Sequence, residues 1–342
     1  MTMTRRRWLF FVGLLLAILA AGTYFIIQHY RYQAMHTLPE GLTRFDVNAP
    51  PPACGRWKDH MPKTRDPEIY RPYIAARKLW RSKIGWQLTH AETTHILDAV
   101  HTAAVKGDWG ARSLMATFYR RGLGVMPSNH VLDPDPMKAM QLVRLGVEAG
   151  QPWAFYDLGV GYERGDAGLP YDVDIAWAYY LRAAEMGSPE AQMALAEAYL
   201  KAKRFDTQQT MLQCAYQQGH GAAAYEIGGW EKLYRRYSNA IKFRQDGAKF
   251  GFSDSAASLY LLFADGYWGN SDMEERQALK ALGIEADPER YQRYKTIKEA
   301  LQINPDLKLT RLDQVLPLPP AKLPPWNGIE DAIEPEPWPP TY

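Results

Sequence analysis

The sequence predicts an all-α solenoid of stacked antiparallel helix pairs, with an N-terminal transmembrane helix and a Pro-rich C-terminal strap. Three observations carry that prediction. A pattern of small residues around a glycine recurs five times between about residues 92 and 270. Trp8 to Ile27 runs twenty residues without a charge (WLFFVGLLLAILAAGTYFII). Nine of the last 26 residues are proline.

The chain opens on a short basic tail, residues 1–7, carrying Arg5, Arg6 and Arg7. At 1.5 Å rise per residue the apolar run that follows, residues 8–27, makes roughly 30 Å of helix, one hydrocarbon thickness. Only Arg31 follows closely, so the positive-inside rule keeps the tail cytoplasmic and exports the rest. A cleaved signal peptide is the alternative, with Ala20-Ala21-Gly22 as a small-residue site. The apolar run continues through Tyr24, Phe25, Ile26 and Ile27, longer than a signal-peptide core, and reads as an uncleaved single-pass anchor of a bacterial inner membrane. Residues 28–66 read as a periplasmic linker, because Ala49-Pro50-Pro51-Pro52 favours extended polyproline conformation. Such a spacer would hold a domain off the membrane.

The body, residues 67–270, reads as the repeat solenoid. The junction glycines are Gly107, Gly150, Gly187, Gly219 and Gly251, spaced 43, 37, 32 and 32 residues apart. Four residues before each lies a small residue: Ala103, Gly146, Ala183, Ala215 and Gly247. Four after each lies another: Ala111, Ala154, Ala191, Ala223 and Ser255. Four further on comes an apolar residue each time (Met115, Leu158, Leu195, Ile227, Leu259), and an aromatic follows in four of the five at Tyr119, Tyr162, Tyr199 and Phe263. Positions i, i+4, i+5 and i+8 form one stripe on a helix. Small residues there let two helices approach closely, and the junction glycine supplies the left-handed conformation that ends a helix. A lone helix pair buries only one face, so neighbours must stack to complete a core.

These residues resemble the Sel-one-like repeat family, a relative of tetratricopeptide repeats. The stretch 154–165, AFYDLGVGYERG, matches the family's A-x-x-x-L-G-x-x-Y-x-x-G, and Asp172, Ala176, Ala183, Ala184 and Gly187 continue it. Gly122-Leu123-Gly124 and Asp135 to Ala139 match in the preceding repeat, whose loop is enlarged over Met126 to Asp133. Residues 271–328 read as C-terminal helices and strap: Asp287 to Leu301 is one amphipathic helix with Asp287 as N-cap and Pro288 in its first turn. Leu316, Leu318, Leu323 and Trp326 alternate with prolines and predict a strap packed on the solenoid. The acidic, Pro-rich stretch 329–342 reads as a loose tail. The flank around Tyr70, Tyr73, Ala76 and Arg77, the 287–301 helix and the strap together look like an accessory region of bacterial envelope repeat proteins. Some of those resemble periplasmic immunity proteins of type VI secretion phospholipase effectors. That resemblance implies one protein partner, a phospholipase-type toxin.

The 342 residues are 46% hydrophobic and 23% charged, with 40 Lys plus Arg against 38 Asp plus Glu. That balance excludes the basic excess of a nucleic-acid binder. The only charges before residue 28 are the three arginines, so the formal +2 is a topology signal and the exported part is at −1. Two cysteines cannot build a disulfide-dense scaffold or a four-thiolate zinc site; Cys214 reads as a small packed residue, and whether it pairs with Cys54 stays open. The motifs G-x-S-x-G, G-x-x-x-x-G-K-[ST], H-E-x-x-H and H-x-K-x-x-x-x-D are absent, so the expectation is a non-enzymatic protein without cofactor or metal. His90, His95 and His101 are spaced five and six apart and do not share a helix face. Asp133, Asp135, Asp172 and Asp174 precede helices and read as caps rather than catalytic carboxylates. In tandem helix pairs the first helices of the repeats line the concave side, and the residues beside their core stripe define the expected partner-binding face: Arg120, Arg121, Trp153, Tyr156, Glu163, Arg164, Glu197, Lys201, Tyr225 and Lys232. Their mix of rings, Arg and both charge signs has hot-spot composition. An envelope scaffold that assembles partners with no toxin involved is the other functional expectation.

Overall fold

The computed structural model describes the backbone of residues 5–266, 272–335 and 339–342, and within these the side chains from residue 14 onward except 34 and 35. The side chains of the basic tail and of Trp8, the end of the expected solenoid at 267–270 and the tail at 336–338 lie outside that description. The apolar run lies in α1 (Arg5–His36), which continues nine residues beyond Ile27. Its segment Leu14–Gln33 is long and apolar enough to cross a membrane and none of it is buried in the protein.

The array begins with α2 (Pro67–Trp80) and continues as five helix pairs: α3 (His90–Val105) with α4 (Trp109–Arg121), α5 (Pro136–Glu148) with α6 (Pro152–Arg164), α7 (Val173–Glu185) with α8 (Pro189–Lys201), α9 (Phe205–Gln217) with α10 (Gly221–Leu233), and α11 (Tyr237–Lys249) with α12 (Ser253–Leu262). Then come α13 (Met273–Ala281), α14 (Pro288–Ile303) and the single turn α15 (Leu312–Val315). The fold is therefore an all-α solenoid of stacked antiparallel pairs.

The junction glycines do what their spacing demands. Gly107, Gly150, Gly187, Gly219 and Gly251 all have left-handed φ, between 68° and 100°. After each, the next N–H bonds back to the small residue four before the glycine: Asp108 to Ala103, Gln151 to Gly146, Ser188 to Ala183, His220 to Ala215 and Phe252 to Gly247, at 2.8–3.2 Å. This is the six-to-one bond that closes a helix and satisfies an orphan carbonyl. Three of those next residues then cap the following helix: Asp108 accepts from the Ala111 N–H, Ser188 from Ala191 and His220 Nδ1 from Ala223. At the other end of the pairs Asp135 and Asp172 cap α5 and α7 through the Lys138 and Ile175 N–H groups.

The small residues mark close helix contacts. A Cβ placed on Gly146 would lie 2.5 Å from that of Ala154, and one on Gly159 would lie 2.7 Å from the Tyr180 ring. The core runs along the array in successive clusters, centred on residues such as Ile96 and Met115, Val143 and Leu158, Leu195 and Met211, and Leu259 and Tyr294. The proline-rich strap is packed as expected: Leu316 is fully buried, and Leu318, Leu323 and Trp326 pack on the last cluster. Arg293 donates to the Val315 and Pro324 carbonyls, and Arg290 to those of Pro317 and Ala321, so α14 satisfies four carbonyls of the strap.

Two expected boundaries need correcting. Residues 37–66 are not a free linker but a second strap. His36 Nδ1 meets Asp172 at 2.5 Å and Arg44 meets Asp174 at 2.6 Å. Phe45 stacks on Trp177 at 5.0 Å. Arg204 holds the Val47 and Ala49 carbonyls. Cys54 and Cys214 form a disulfide, so Cys214 is bonded as well as packed. Gly55 runs against the backbone of Glu185 and Gly187, where no Cβ would fit. Beyond it Gln218 accepts from the Trp57 N–H, Gln151 donates to the His60 carbonyl, and Arg65 meets Asp108. The strap thus crosses the solenoid and then tracks the glycine turns back to the start of the array. The stretch 329–342 is not loose either. Ala332 is buried, its carbonyl accepts from the Arg311 N–H, and Tyr342 lies on Arg65. Composition alone misread both segments because most of their contacts are to residues far along the chain, as in Phe45 with Trp177, Cys54 with Cys214 and Tyr342 with Arg65.

Candidate functional site

The straps close the solenoid on itself. Arg77 of α2 donates to Asp306 at 2.7 Å, and Arg81 lies 3.4 Å from the same carboxylate. The segment that carries Asp306 is fixed to the far end of the array, where the Leu309 N–H donates to the Lys249 carbonyl and Lys308 to that of Phe250. A second closure is built on Arg65. Its guanidinium takes both oxygens of Asp108 at 2.6 and 2.8 Å and lies 4.2 Å from the Tyr70 ring and 4.5 Å from that of Tyr342. Tyr342 in turn accepts from the Trp109 N–H and donates to Asp108.

Three adjoining cavities of about 860, 660 and 350 Å³ meet at Arg77 inside this closure. The glycine-turn ends of the pairs form one wall, with Trp109, Trp153, Ser188 and His220. Trp57 and Met61 of the N-terminal strap form a second, and α2 with the Asp306–Thr310 segment forms the third. Rings and cations dominate the lining, the composition that carries binding energy in protein interfaces.

The electrostatics are poised. Burial works against the Arg77 charge, yet the Asp306 carboxylate and the Tyr73 ring oxygen hold its pKa above the ordinary value. Asp306 is correspondingly held below the usual carboxylate range; burial opposes this and is outweighed by the two arginines. Arg81 and Lys308 are pushed the other way, down, first by burial and then by the neighbouring Arg77, against which Asp306 gives only partial relief. One carboxylate is thus shared among several cations. One buried donor in the lining, the Trp153 indole N–H, finds no hydrogen-bond acceptor among the described residues, and Arg81 Nε has only the Asp306 carboxylate, at 3.4 Å. A buried donor left unmade costs about 1–3 kcal/mol, which an acceptor from a partner would recover.

The structure separates the ten residues expected on one binding face. Trp153 lines the cleft. Arg120 is spent on Asp157 at 2.7 Å, a carboxylate whose pKa is raised by burial despite that pair. Tyr156 packs on Tyr180, Tyr225 lies under Arg244, and Lys232 pairs with Glu275. Glu163 accepts from the Tyr180 hydroxyl, and Glu197 pairs with Lys201 along α8. Arg121 and Arg164 are exposed. Most of these sit toward the carboxyl ends of α4, α6, α8 and α10, at the edge opposite the cleft. Periodicity gives the angle of a residue around its helix but not which end of the helix meets a cavity. Arg77, Arg81 and Asp306 were therefore missed; the Tyr70/Tyr73/Arg77 flank was the one legible sign of them. Among the described residues no group of three His, Cys, Asp or Glu could hold a metal.

A helical-repeat ring around an aromatic, basic cleft defines a protein-binding scaffold. The comparisons agree with that class. Residues 261–334 match a family described as a domain of unknown function (DUF6396). The chain is similar to the crystal structure of immunity protein Pa5087 from Pseudomonas aeruginosa, with 25% identity and a TM-score of 0.61, covering 79% of this chain and 95% of that one. It is similar to the immunity protein PA5088 from the same organism, with 25% identity and a TM-score of 0.58 over 78% and 94% of the two chains. Pseudomonas aeruginosa PA5086 shares the fold at 24% identity and a TM-score of 0.61 over 80% and 96%. No curated protein sequence matches the chain.

Proposed function

We propose that the protein is an immunity protein, anchored in the bacterial inner membrane with its solenoid in the periplasm, that binds one toxin and neutralises it. The toxin is a phospholipase-type effector delivered by type VI secretion. The cleft supports this reading above all: a closed ring lined by aromatic and cationic side chains, with the Trp153 indole N–H left without an acceptor, is preorganised for a protein segment rich in acceptors. Trp153, from the face expected on sequence grounds, is retained as a contact, and Arg81 and Lys308 are added. Inhibition is steric, with the bound ring covering the active-site entrance or membrane-docking face of the toxin. The anchor raises the local concentration of inhibitor beside the lipid under attack. The reading is tested by deleting the gene and challenging with isogenic attackers; a deletion strain that survives as well as its parent refutes it. Trp153→Ala with Arg81→Gln should weaken capture of the purified effector by at least tenfold while the free protein stays folded by circular dichroism. Unchanged affinity would move the contact away from the cleft.

A further inference from the structure

The two edges of the solenoid differ in chemistry. In antiparallel pairs every glycine turn lies at one edge, and every longer connection, from the second helix of one pair to the first of the next, lies at the other. Nearly all large apolar side chains exposed on the solenoid gather at that second edge. Val125, Tyr171 and Leu233 are each about two-thirds exposed there, with Phe205 and Tyr234 beside them. Each side of the repeat is closed differently too. The glycine turns use glycine in the left-handed conformation, whereas the connections at 203 and 235 place Lys203 and Arg235 in it, at φ 60° and 58°. A side chain held there is strained by about 1 kcal/mol or more, which points from geometry to a role for the loop tip.

The membrane helix joins the solenoid at this same edge. His36, the last residue of α1, bonds Asp172, the residue that caps α7 in the connection carrying Tyr171. From Ile27 to His36 the helix is unbroken. Nine residues rise roughly 13 Å, and a headgroup layer takes up about 5–7 Å of that. Even an upright α1 leaves the edge within one side-chain length of the lipid headgroups, and tilt brings it closer. Tyr30 and Tyr32, exposed on this stretch of α1, are interfacial residues by type.

We infer that the edge formed by the connections at 122–135, 165–172, 202–204 and 234–236 lies on the periplasmic surface of the bilayer, its rings and aliphatic side chains in the headgroup layer. The lipid surface is a second binding partner, distinct from the toxin. Apolar burial supplies the driving term, the exposed Arg121 and Arg164 add attraction to anionic headgroups, and the neighbouring carboxylates Glu231 and Glu274 are already paired with Arg236 and Arg235. The cleft, at the opposite edge, then faces away from the membrane. The inference rests on α1 being an uncleaved anchor, as the proposed function holds.

The test uses the full chain, disulfide intact, in vesicles of phosphatidylethanolamine and phosphatidylglycerol. Single cysteines introduced as Tyr171→Cys, Phe205→Cys and Tyr234→Cys are labelled with an environment-sensitive fluorophore, with Val105→Cys at the glycine-turn edge and Tyr32→Cys on α1 as references. Headgroup-spin-labelled lipid should quench the labels at 171, 205 and 234 at least threefold more than the label at 105. Quenching at 32 with none at 171, 205 and 234 would overturn the inference while leaving the anchor intact. No quenching at 32 would overturn both the anchor and this inference. Edge labels shielded only after the toxin is added would assign the edge to protein and refute the lipid assignment.

Discussion

Replacing Gly159 probes the packing rule that builds the array. A Cβ at this position would lie 2.7 Å from both Tyr180 Cδ1 and Cε1 and 3.0 Å from the Ala176 carbonyl oxygen. Carbon atoms in contact prefer about 3.5–4.0 Å, so the overlap approaches an ångström. The ring cannot easily yield. It is flanked by Tyr156 and Trp177, each 5.4 Å away, and its hydroxyl donates to Glu163 at 2.7 Å. For Gly159→Ala, a helix-propensity gain of about 1 kcal/mol opposes an overpacking penalty of about 1–3 kcal/mol. Gly159→Leu adds three further carbons to the same contact and should reach the top of that penalty, about 3 kcal/mol. At 2–4 °C per kcal/mol for a domain of this size, the melting temperature should fall by roughly 6–12 °C. Gly229→Ala is the matched control: it lies within α10, and its nearest neighbour would be Arg244 Nη2 at 3.7 Å, an ordinary contact. It should stabilise by up to about 1 kcal/mol. Thermal unfolding followed by circular dichroism compares the three proteins. A Gly159→Leu protein that melts with its parent would refute the close-contact account of the small-residue stripe.

Three other perturbations have definite outcomes. The Arg65 and Asp108 side chains are only 10% and 3% exposed, so Asp108→Asn should strand a buried guanidinium and cost about 3–5 kcal/mol, read as a lower urea midpoint; a midpoint within error of the parent would show the closure to be ornamental. Cys54→Ser, Cys214→Ser removes a crosslink across a sequence separation of 160, for which chain entropy gives about 5 kcal/mol. Trypsin should then cut first at Lys58 or Lys63 in the freed strap, and cleavage elsewhere at an unchanged rate would contradict the strap's tethering. His220 is held below its usual pKa, mainly by burial, with Glu190 opposing and Lys308 assisting, and its neutral ring accepts the Ala223 N–H at 3.3 Å. A depressed pKa means the unfolded chain binds the proton more tightly, so this stabilisation is full above about pH 6.5 and is lost as pH falls through the folded value. His220→Asn keeps an acceptor that does not titrate; its melting temperature should fall less than the parent's on acidification, and equal losses would exclude His220 as the titrating group.

What could be read in the sequence was what neighbouring residues settle between themselves. Gly187, Ala183 and Ala191 lie within nine positions, and the turn they make is local, so spacing revealed it. The proline alternation at Leu316, Leu318 and Leu323 likewise announced an extended strap with one apolar side. The N-terminal strap carries no such signature. Phe45 finds Trp177, Cys54 finds Cys214 and Arg65 finds Asp108 only once the array exists, and each partner looks ordinary in its own helix. The cleft was hidden for the same reason: Arg77 and Asp306 are 229 positions apart and become a site only through closure.

That closure changes how the protein can come apart. An open repeat array is quasi-one-dimensional, so its outer units fray and refold nearly independently. Here α2 cannot leave without breaking the Arg77–Asp306 and Arg65–Asp108 pairs, which tie it and its N-terminal flank to the opposite end and to the turn of the first helix pair. The Arg77–Asp306 link must form late, after loop closure over 229 residues. Denaturation should therefore be a single cooperative event with slow exit from the native state. For a binding scaffold, the value of a ring over a spring is persistence in time.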